Sequence, residues 1–547
     1  MSAARENRPG LADAIGRHAT ARPDAPAFRF MAREGKVKRM IAWRELHDDG
    51  SRIAAALHAG GYAGRRVAIV CPEAADFVVA LAGCLLAGAV AVPLPAVATR
   101  RSAERIAAIV KSAGPAALIG PAATLREPWI AATLGRSIGL ALEELTPGDV
   151  APAPAIPGDG AAPALLQFTS GSTASPRGVM LSHANLSANC TAIAEAYALD
   201  ATSIGFSWLP LHHDMGLVGH VLTTFLVGGC SAIMNPLHFL QSPLRWLRQA
   251  GEQRATITGA PNFAYALCVQ AVAEGKDVRG LDLSSLAVAV CGGEPVSAET
   301  VSRFSETFAA YGFRRSAFAP SYGLAEATLL VASGRRPAGP GIDRRGGDAS
   351  PSVVSVGRAV RGMAIRIVDE TGRSCSETEI GEIEVAGASV GTVMDGHQEV
   401  EATVPTGDLG YLLGGELYVT GRRKELIILR GQNVFPTDIE TAAVAADPRL
   451  RPGGVAAIGV AEGGTETLLV LIEVDPHGVR AGDLARLAGA VSQAVSQASG
   501  FTPKSVLPVA VGALPRTSSG KLQRSRIAEM LVGGGLKPLR VGENEEV

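Results

Sequence analysis

Neither sign of charge is in excess. The chain has 51 Lys and Arg residues against 52 Asp and Glu, a formal net charge of −1, and no extended run of one sign. That balance leaves no electrostatic footprint for nucleic acid or for an anionic membrane surface. No Cys-x-x-Cys pair occurs among the seven cysteines, which stand at 71, 84, 190, 230, 268, 291 and 375. An odd, dispersed set suggests neither a disulfide framework nor a zinc site, and reads as buried free thiols. The N-terminus carries Arg5, Glu6, Asn7 and Arg8 instead of a basic region leading into an apolar stretch, so no signal peptide is expected and a reducing cytoplasm fits. Repeats at solenoid or propeller periods are absent. An uncharged run of 22 residues, Phe77 to Ala98, is long enough for a membrane span, but Gly83, Gly88, Pro93 and Pro95 break it. It reads as a buried helix followed by the strand-like Ala89 to Val92, with no integral membrane segment.

What the sequence does have is a globular composition, with 47% apolar and 19% charged residues over a length of 547. That length exceeds one ordinary core, so two or more units are expected. Over the first 150 residues helical stretches alternate with short apolar runs such as Arg66 to Val70 and Ala117 to Ile119, the rhythm of βαβ units around a mostly parallel sheet. Pro147 to Pro163, rich in Pro, Ala and Gly, reads as a boundary loop. The α/β rhythm resumes from Leu165 to about Gly334. Short β-rich pieces separated by Gly and Asp turns follow from Val353 to about Thr420, for example Ala364 to Val368 and Glu382 to Val385. After Gly421 a charged turn leads into an α+β section that ends in the polar tail Glu543 to Val547. The expected architecture is α/β: residues 1–420 hold two βαβ-rich subdomains and a small β-rich one, and a smaller α+β unit follows.

The most distinctive local motif runs from Phe168 to Gly178, after the apolar Ala164-Leu165-Leu166. Its Thr169, Ser170, Gly171, Ser172 and Thr173 offer hydroxyls and close-lying backbone N–H groups to a triphosphate, and Arg177 offsets phosphate charge. Taken alone, the same composition also describes an ordinary solvent-exposed turn. A Walker A loop is excluded, because Gly35-Lys36, Gly275-Lys276 and Gly520-Lys521 are followed by Val37, Asp277 and Leu522 and never by Ser or Thr.

Further along, five more motifs appear: Leu209-Pro210-Leu211-His212-His213, Pro320 to Glu326, Thr406-Gly407-Asp408, Gly421 to Glu425 with Gly431, and Pro515 to Lys521. With the hydroxyl loop, and in this order, the set resembles the adenylate-forming superfamily of acyl-CoA synthetases, luciferases and nonribosomal peptide adenylation domains. The wording of Ser207 to Pro210, His213 to Gly216, Phe239 to Gln241 and Ala260 to Phe263 resembles the fatty acyl-AMP ligase branch. The resemblance spans nearly the whole chain. It implies an AMP-binding domain over 1–420, a hinge at 421–425 and a mobile C-terminal domain over 426–547.

It also implies roles. ATP and Mg²⁺ would be used, with AMP as product, to activate a fatty or related carboxylic acid. Glu326 would hold Mg²⁺, with Thr169 near the phosphates. Tyr322, beside Gly323, would stack on adenine next to Gly292, Gly293 and Glu294. Asp408 would accept both ribose hydroxyls, which suits an acceptor-only carboxylate, and Arg422 would approach ribose or phosphate. Lys521 would swing in to bridge the substrate carboxylate and the α-phosphate, and Lys424 would mark the hinge on which the small domain turns. His213 would gate or orient the carboxylate, or serve as a hydrogen-bonded structural residue. Trp208 and Phe263 would line the acyl tunnel, or belong to an ordinary aromatic core.

Three departures qualify the pattern. Ala325 replaces a phosphate-touching threonine common in the superfamily, a change that the acyl-AMP ligase branch shares. The stretch from Ser333 to Val356 is shorter than its counterpart in that branch, where an inserted motif keeps the enzyme from the CoA-transferring arrangement. Gly387 to Pro405 lacks the familiar Gly-Tyr-Trp type of sequence. The thiol acceptor therefore stays open between an acyl carrier protein, favoured by the motif wording, and CoA, favoured by the short segment. A non-catalytic adenylate- or acyl-binding protein is disfavoured, since a pure binder has no use for Lys521 alongside Glu326, Asp408 and Arg422.

Overall fold

The computed structural model describes residues 10–95, 100–130, 137–145, 160–168, 177–334, 339–344, 352–394, 403–429, 432–462, 465–475, 481–517 and 520–539. Short, wholly apolar runs form strands buried on both faces, as parallel sheets require. The run from Phe77 to Ala98 divides as its punctuation indicates, into the helix Ala74–Leu86 and the strand Val90–Pro93. The turn between them passes through Gly88 at φ +64, where a Cβ would be strained. Among the described residues no helix is long and apolar enough to cross a membrane. All seven cysteines are free, and six are buried.

Two large sheets frame the N-terminal part. A seven-stranded sheet runs Thr392–Met394, Gly178–Ser182, Pro163–Phe168, Val90–Pro93, Arg66–Ile69, Ala117–Gly120, Ile138–Ala141. A nine-stranded sheet runs Arg358–Ala359, Leu330–Ser333, Phe318–Gly323, Val288–Cys291, Ile257–Ala260, Ile204–Ser207, Cys230–Met234, Pro26–Met31, Val37–Ala42. One continuous core joins them through helices Trp43–Ala59, Ala74–Leu86 and His183–Tyr197, with Val67 and Ile69 of one sheet and Phe28 and Ile233 of the other in the same cluster. The division along the chain differs from the sequence reading. The first hairpin, Pro26 to Ala42, belongs to the second sheet through Phe28 opposite Ser231, and the strands flanking the hydroxyl loop belong to the first. Local pattern identifies a strand, but its partner is chosen by long-range pairing, which periodicity does not carry.

The β-rich piece is a four-stranded antiparallel sheet, Met363–Val368, Gly381–Gly387, Thr403–Leu413, Glu416–Arg422. Beyond it, Val455–Glu462, Thr465–Val474 and Ser505–Ala510 form a separate sheet covered by helices Pro436–Ala445, Ala481–Ser499 and Arg524–Val532. Among the described residues, the buried clusters of this last part, which begin at Ile427, share no member with those that end before residue 420.

Candidate active site

Parallel strands present their carboxyl ends as a crevice, the usual ligand position in open α/β sheets. Here the ends of Ile257–Ala260, Val288–Cys291 and Phe318–Gly323 open into a cleft of about 1950 Å³, closed on its other side by residues of the C-terminal part. Gly292 and Gly293 form its floor beside the second of these strands. A Cβ on Gly292 would lie 2.7 Å from the Ser321 carbonyl oxygen, so only glycine lets the two strand ends approach so closely.

At one end of the cleft the buried Asp408 is held from both sides. Tyr322 donates its hydroxyl to Oδ2 at 2.8 Å, and Arg422 donates Nε–H to Oδ1 at 2.8 Å from the opposite strand. Its own backbone N–H is received by Thr406 Oγ1 at 3.1 Å. Burial lifts the Tyr322 hydroxyl well above its ordinary range, so it stays a donor, and the Asp408 carboxylate raises Arg422 further. Each carboxylate oxygen keeps a second lone pair for an incoming O–H donor.

At the other end His213 Nδ1 lies 2.6 Å from Asp214 Oδ1, both only 15% exposed. Burial alone would raise the Asp214 carboxyl, but the His213 ring, with Lys521 adding to it, holds it down at about 2. Lys521 reaches this point from the C-terminal part. Its Nζ and Cε both come within 3.6 Å of where a Gly293 Cβ would stand. The loop that carries it is closed by Thr517, whose backbone N–H donates to the Lys521 carbonyl at 2.8 Å and whose hydroxyl accepts from the Lys521 N–H at 3.1 Å. Gly520, at φ +89, lies against Phe263, and a Cβ there would meet the ring at 2.7 Å. Glu326 sits in the short 3₁₀ turn Ala325–Ala327, where burial raises its carboxyl and the nearby Asp214 and Asp408 charges raise it more.

The residues singled out from the sequence do not all converge. Tyr322, Gly323, Glu326, Gly292, Gly293, Asp408, Arg422, His213, Lys521, Lys424, Arg177 and Phe263 all line the cleft. Glu294 lines it too, but its Oε1 accepts the Phe263 N–H at 2.6 Å, so the carboxylate also ties down the start of helix Asn262–Ala273. Trp208 lies one layer behind. It stacks on Phe239 with centroids 3.8 Å apart and meets Trp246 and Phe263 edge-on, so its area goes into core packing while Phe263 faces the cavity. Thr169, Ser170, Gly171, Ser172 and Thr173 lie outside the described residues. Sequence reasoning missed Asp214 as a partner, although its adjacency to His213 was the available signal. It also missed Arg524, three residues after Lys521, which grips Glu440 at 2.7 and 2.8 Å and reaches Glu425 beside Lys424.

The family model described as AMP-binding enzyme covers residues 15–396. The chain is 33% identical to the medium-chain-fatty-acid–[acyl-carrier-protein] ligase JamA of Moorena producens, over 93% of each chain. It is also 33% identical to the long-chain-fatty-acid–AMP ligase FadD32 of Mycolicibacterium smegmatis, over 97% of this chain and 95% of that one. Among solved structures, one from studies of fatty acyl-adenylate ligases of E. coli and L. pneumophila superposes with a TM-score of 0.87 at 31% identity, covering 96% of this chain and 98% of that one. The chain belongs to the family of AMP-binding, adenylate-forming enzymes.

Proposed function

We propose that this enzyme joins a fatty or related carboxylic acid to AMP and passes the acyl group to the phosphopantetheine thiol of an acyl carrier protein. In the first step a carboxylate oxygen attacks the α-phosphorus of ATP, the bond to the bridging oxygen breaks, and pyrophosphate leaves. In the second the thiol attacks the acyl carbonyl and AMP leaves. Catalysis of such a displacement is mostly positioning and charge neutralisation. The observation that carries the reading is Lys521, an ammonium delivered from a separately cored domain to Gly293, beside His213 and Asp214. There it would neutralise charge shared between carboxylate and α-phosphate. Asp408 and Arg422 would hold the ribose, and the Tyr322 ring would cover adenine against Gly292 and Gly293.

Among the described residues no group of three or more His, Cys, Asp or Glu could cage a metal unaided, and Mg²⁺ held by one carboxylate and substrate phosphates needs none. Glu326 fits that part, since burial raises its carboxyl and the Asp214 and Asp408 charges are only partly offset by Arg422, a balance that a cation would relieve. Mg²⁺ there, with Thr169, would supply neutralisation of phosphate charge. The domains would be 1–420 and 426–547, turning about 421–425 at Lys424 to exchange the adenylating arrangement for the thiol-transferring one. Seven free cysteines support a cytoplasmic setting.

CoA as acceptor is the second reading, supported by the short segment from Ser333 to Val356. The deciding experiment gives the purified protein ATP, Mg²⁺ and a ladder of fatty acids, with CoA in one reaction and a phosphopantetheinylated carrier protein in another. Mass spectrometry reads the products. Acyl-AMP followed by acyl-carrier product alone upholds the first reading, acyl-CoA moves the enzyme to the second, and no adenylate from any acid overturns both.

A further inference from the structure

The lining of the cleft includes an apolar wall of Ile193, Ile257, Val290 and Leu329. In that apolar wall stands one imidazole. His220 lies in the π-helical turn Leu217–Leu222, an irregularity in the helix that often marks a functional position. The turn is locked by Thr223, whose hydroxyl donates to the Val218 carbonyl five residues back at 2.7 Å. The imidazole is 93% buried, being 7% exposed, yet it lines the cavity. Among the described residues it has no hydrogen bond or ion pair.

The ring lies against two glycines on neighbouring strands. A Cβ on Gly205 would come within 3.4 Å of Nδ1, and one on Gly259 within 3.9 Å of Nε2. Ser231 Oγ, fully buried and also unpartnered among the described residues, lies within 3.4 Å of the same Gly205 position. Burial lowers His220 to about 4, and no charged neighbour contributes, so at neutral pH the ring is uncharged, with one nitrogen donating and the other accepting. A neutral donor and acceptor that lines the cavity without a protein partner among the described residues is free to pair with a ligand hydroxyl.

Resting on the reading that this cleft adenylates carboxylic acids, we propose that His220 reads the acyl chain, and that the preferred substrate carries a neutral hydroxyl on the chain or on a terminal ring. Its place along the helix sets where that hydroxyl lies. His220 stands seven positions after His213, more than one helical turn further on, so its ring meets the substrate beyond the carboxylate.

The test supplies the purified enzyme with ATP, Mg²⁺ and matched acids: octanoate and decanoate against their monohydroxylated regioisomers, and phenylpropanoate against its para-hydroxyphenyl analogue. Acyl-AMP formation gives kcat/KM for each. At least one hydroxylated acid should exceed its parent by about tenfold or more, the scale of one buried hydrogen bond. His220→Leu should remove that preference, and His220→Gln, which still donates and accepts, should keep part of it. Parents equal to or better than every hydroxylated partner, or a preference untouched by His220→Leu, would overturn the proposal. If the Leu variant does not fold, the wild-type ratios and the Gln variant decide. Absence of acyl-AMP from every acid would remove the adenylation reading itself, whereas acyl-AMP without discrimination removes only the role of His220.

Discussion

Lys521 depends on its neighbours for its position. Thr517 closes the loop that carries it, Gly520 lets that loop lie on Phe263, and Gly293, at φ +79, lies beside the amino group. It belongs to no core cluster, so Lys521→Ala should leave the fold intact by circular dichroism while acyl-AMP formation drops by about 10²–10³, the effect of losing one transition-state charge partner. Near-normal acyl-AMP in that variant would remove the lysine from the mechanism. Glu326 makes a prediction with two opposed signs. Burial and the Asp214 and Asp408 charges raise its carboxyl in the folded enzyme, so the folded state holds the proton to higher pH than the unfolded chain does. Ionisation therefore costs the apo-protein stability, beginning as pH rises through the ordinary glutamate value and complete above the raised one. Cation binding needs the ionised form, so Mg²⁺ affinity should be full above the raised value and fall on acidification through it. Glu326→Gln should raise the apo Tm at neutral pH, weaken Mg²⁺ dependence and flatten its pH profile. Unchanged Mg²⁺ dependence would end the metal assignment.

At the scale of elements, helices Pro436–Ala445 and Arg524–Val532 are joined by a bidentate pair between Glu440 and Arg524, with 13% and 15% of each side chain exposed. Glu440 also accepts the Ala457 N–H at 3.0 Å, so it ties helix to sheet. Arg524→Met would strand that carboxylate, and chemical denaturation should show a loss of about 3–5 kcal/mol, typical of breaking a buried pair. Adding Glu440→Met should restore part of the loss, whereas additive losses would show that the two side chains are not coupled. These elements also show what a sequence can carry. Helix Ala74–Leu86 and strand Val90–Pro93 were readable because glycine and proline punctuate a local pattern. Motif residues such as Tyr322, Asp408 and Arg422 were readable by resemblance, and they share the cleft. The sheet to which Pro26–Met31 belongs was not readable, since pairing with Cys230–Met234 joins segments some two hundred residues apart. Nor was the layer occupied by Trp208, because burial behind Phe263 and exposure to the cavity give the same local pattern. The Arg524 pair was hidden for the same reason, its partners lying in distant segments.

For the whole molecule, the decisive feature is that two bodies with separate cores build one site. The clusters around Ile427, Val470 and Val491 and around Ile458 and Ile527 take no member from the N-terminal part, while Asp408, Tyr322, Glu326 and Arg422 all precede residue 425. Each core buries its own apolar surface, so removing one leaves the other its main source of stability. The two meet where Gly520 and Gly453 abut Phe263, a Gly453 Cβ lying 3.9 Å from that side chain, and where Lys521 enters. No core cluster among the described residues spans this junction, as the proposed rotation about residues 421–425 requires. A chain cut after residue 425 should therefore stay folded and bind AMP within about tenfold of the full enzyme, since any interaction with the nucleotide that the cut removes is worth no more than about one hydrogen bond. It should make no more acyl-AMP than Lys521→Ala does. Calorimetry of the full chain should resolve two transitions, and the cut should erase one of them. A single transition that the cut abolishes would mean that the two parts fold as one cooperative unit, and rotation about residues 421–425 would then have to break a shared core instead of a small interface.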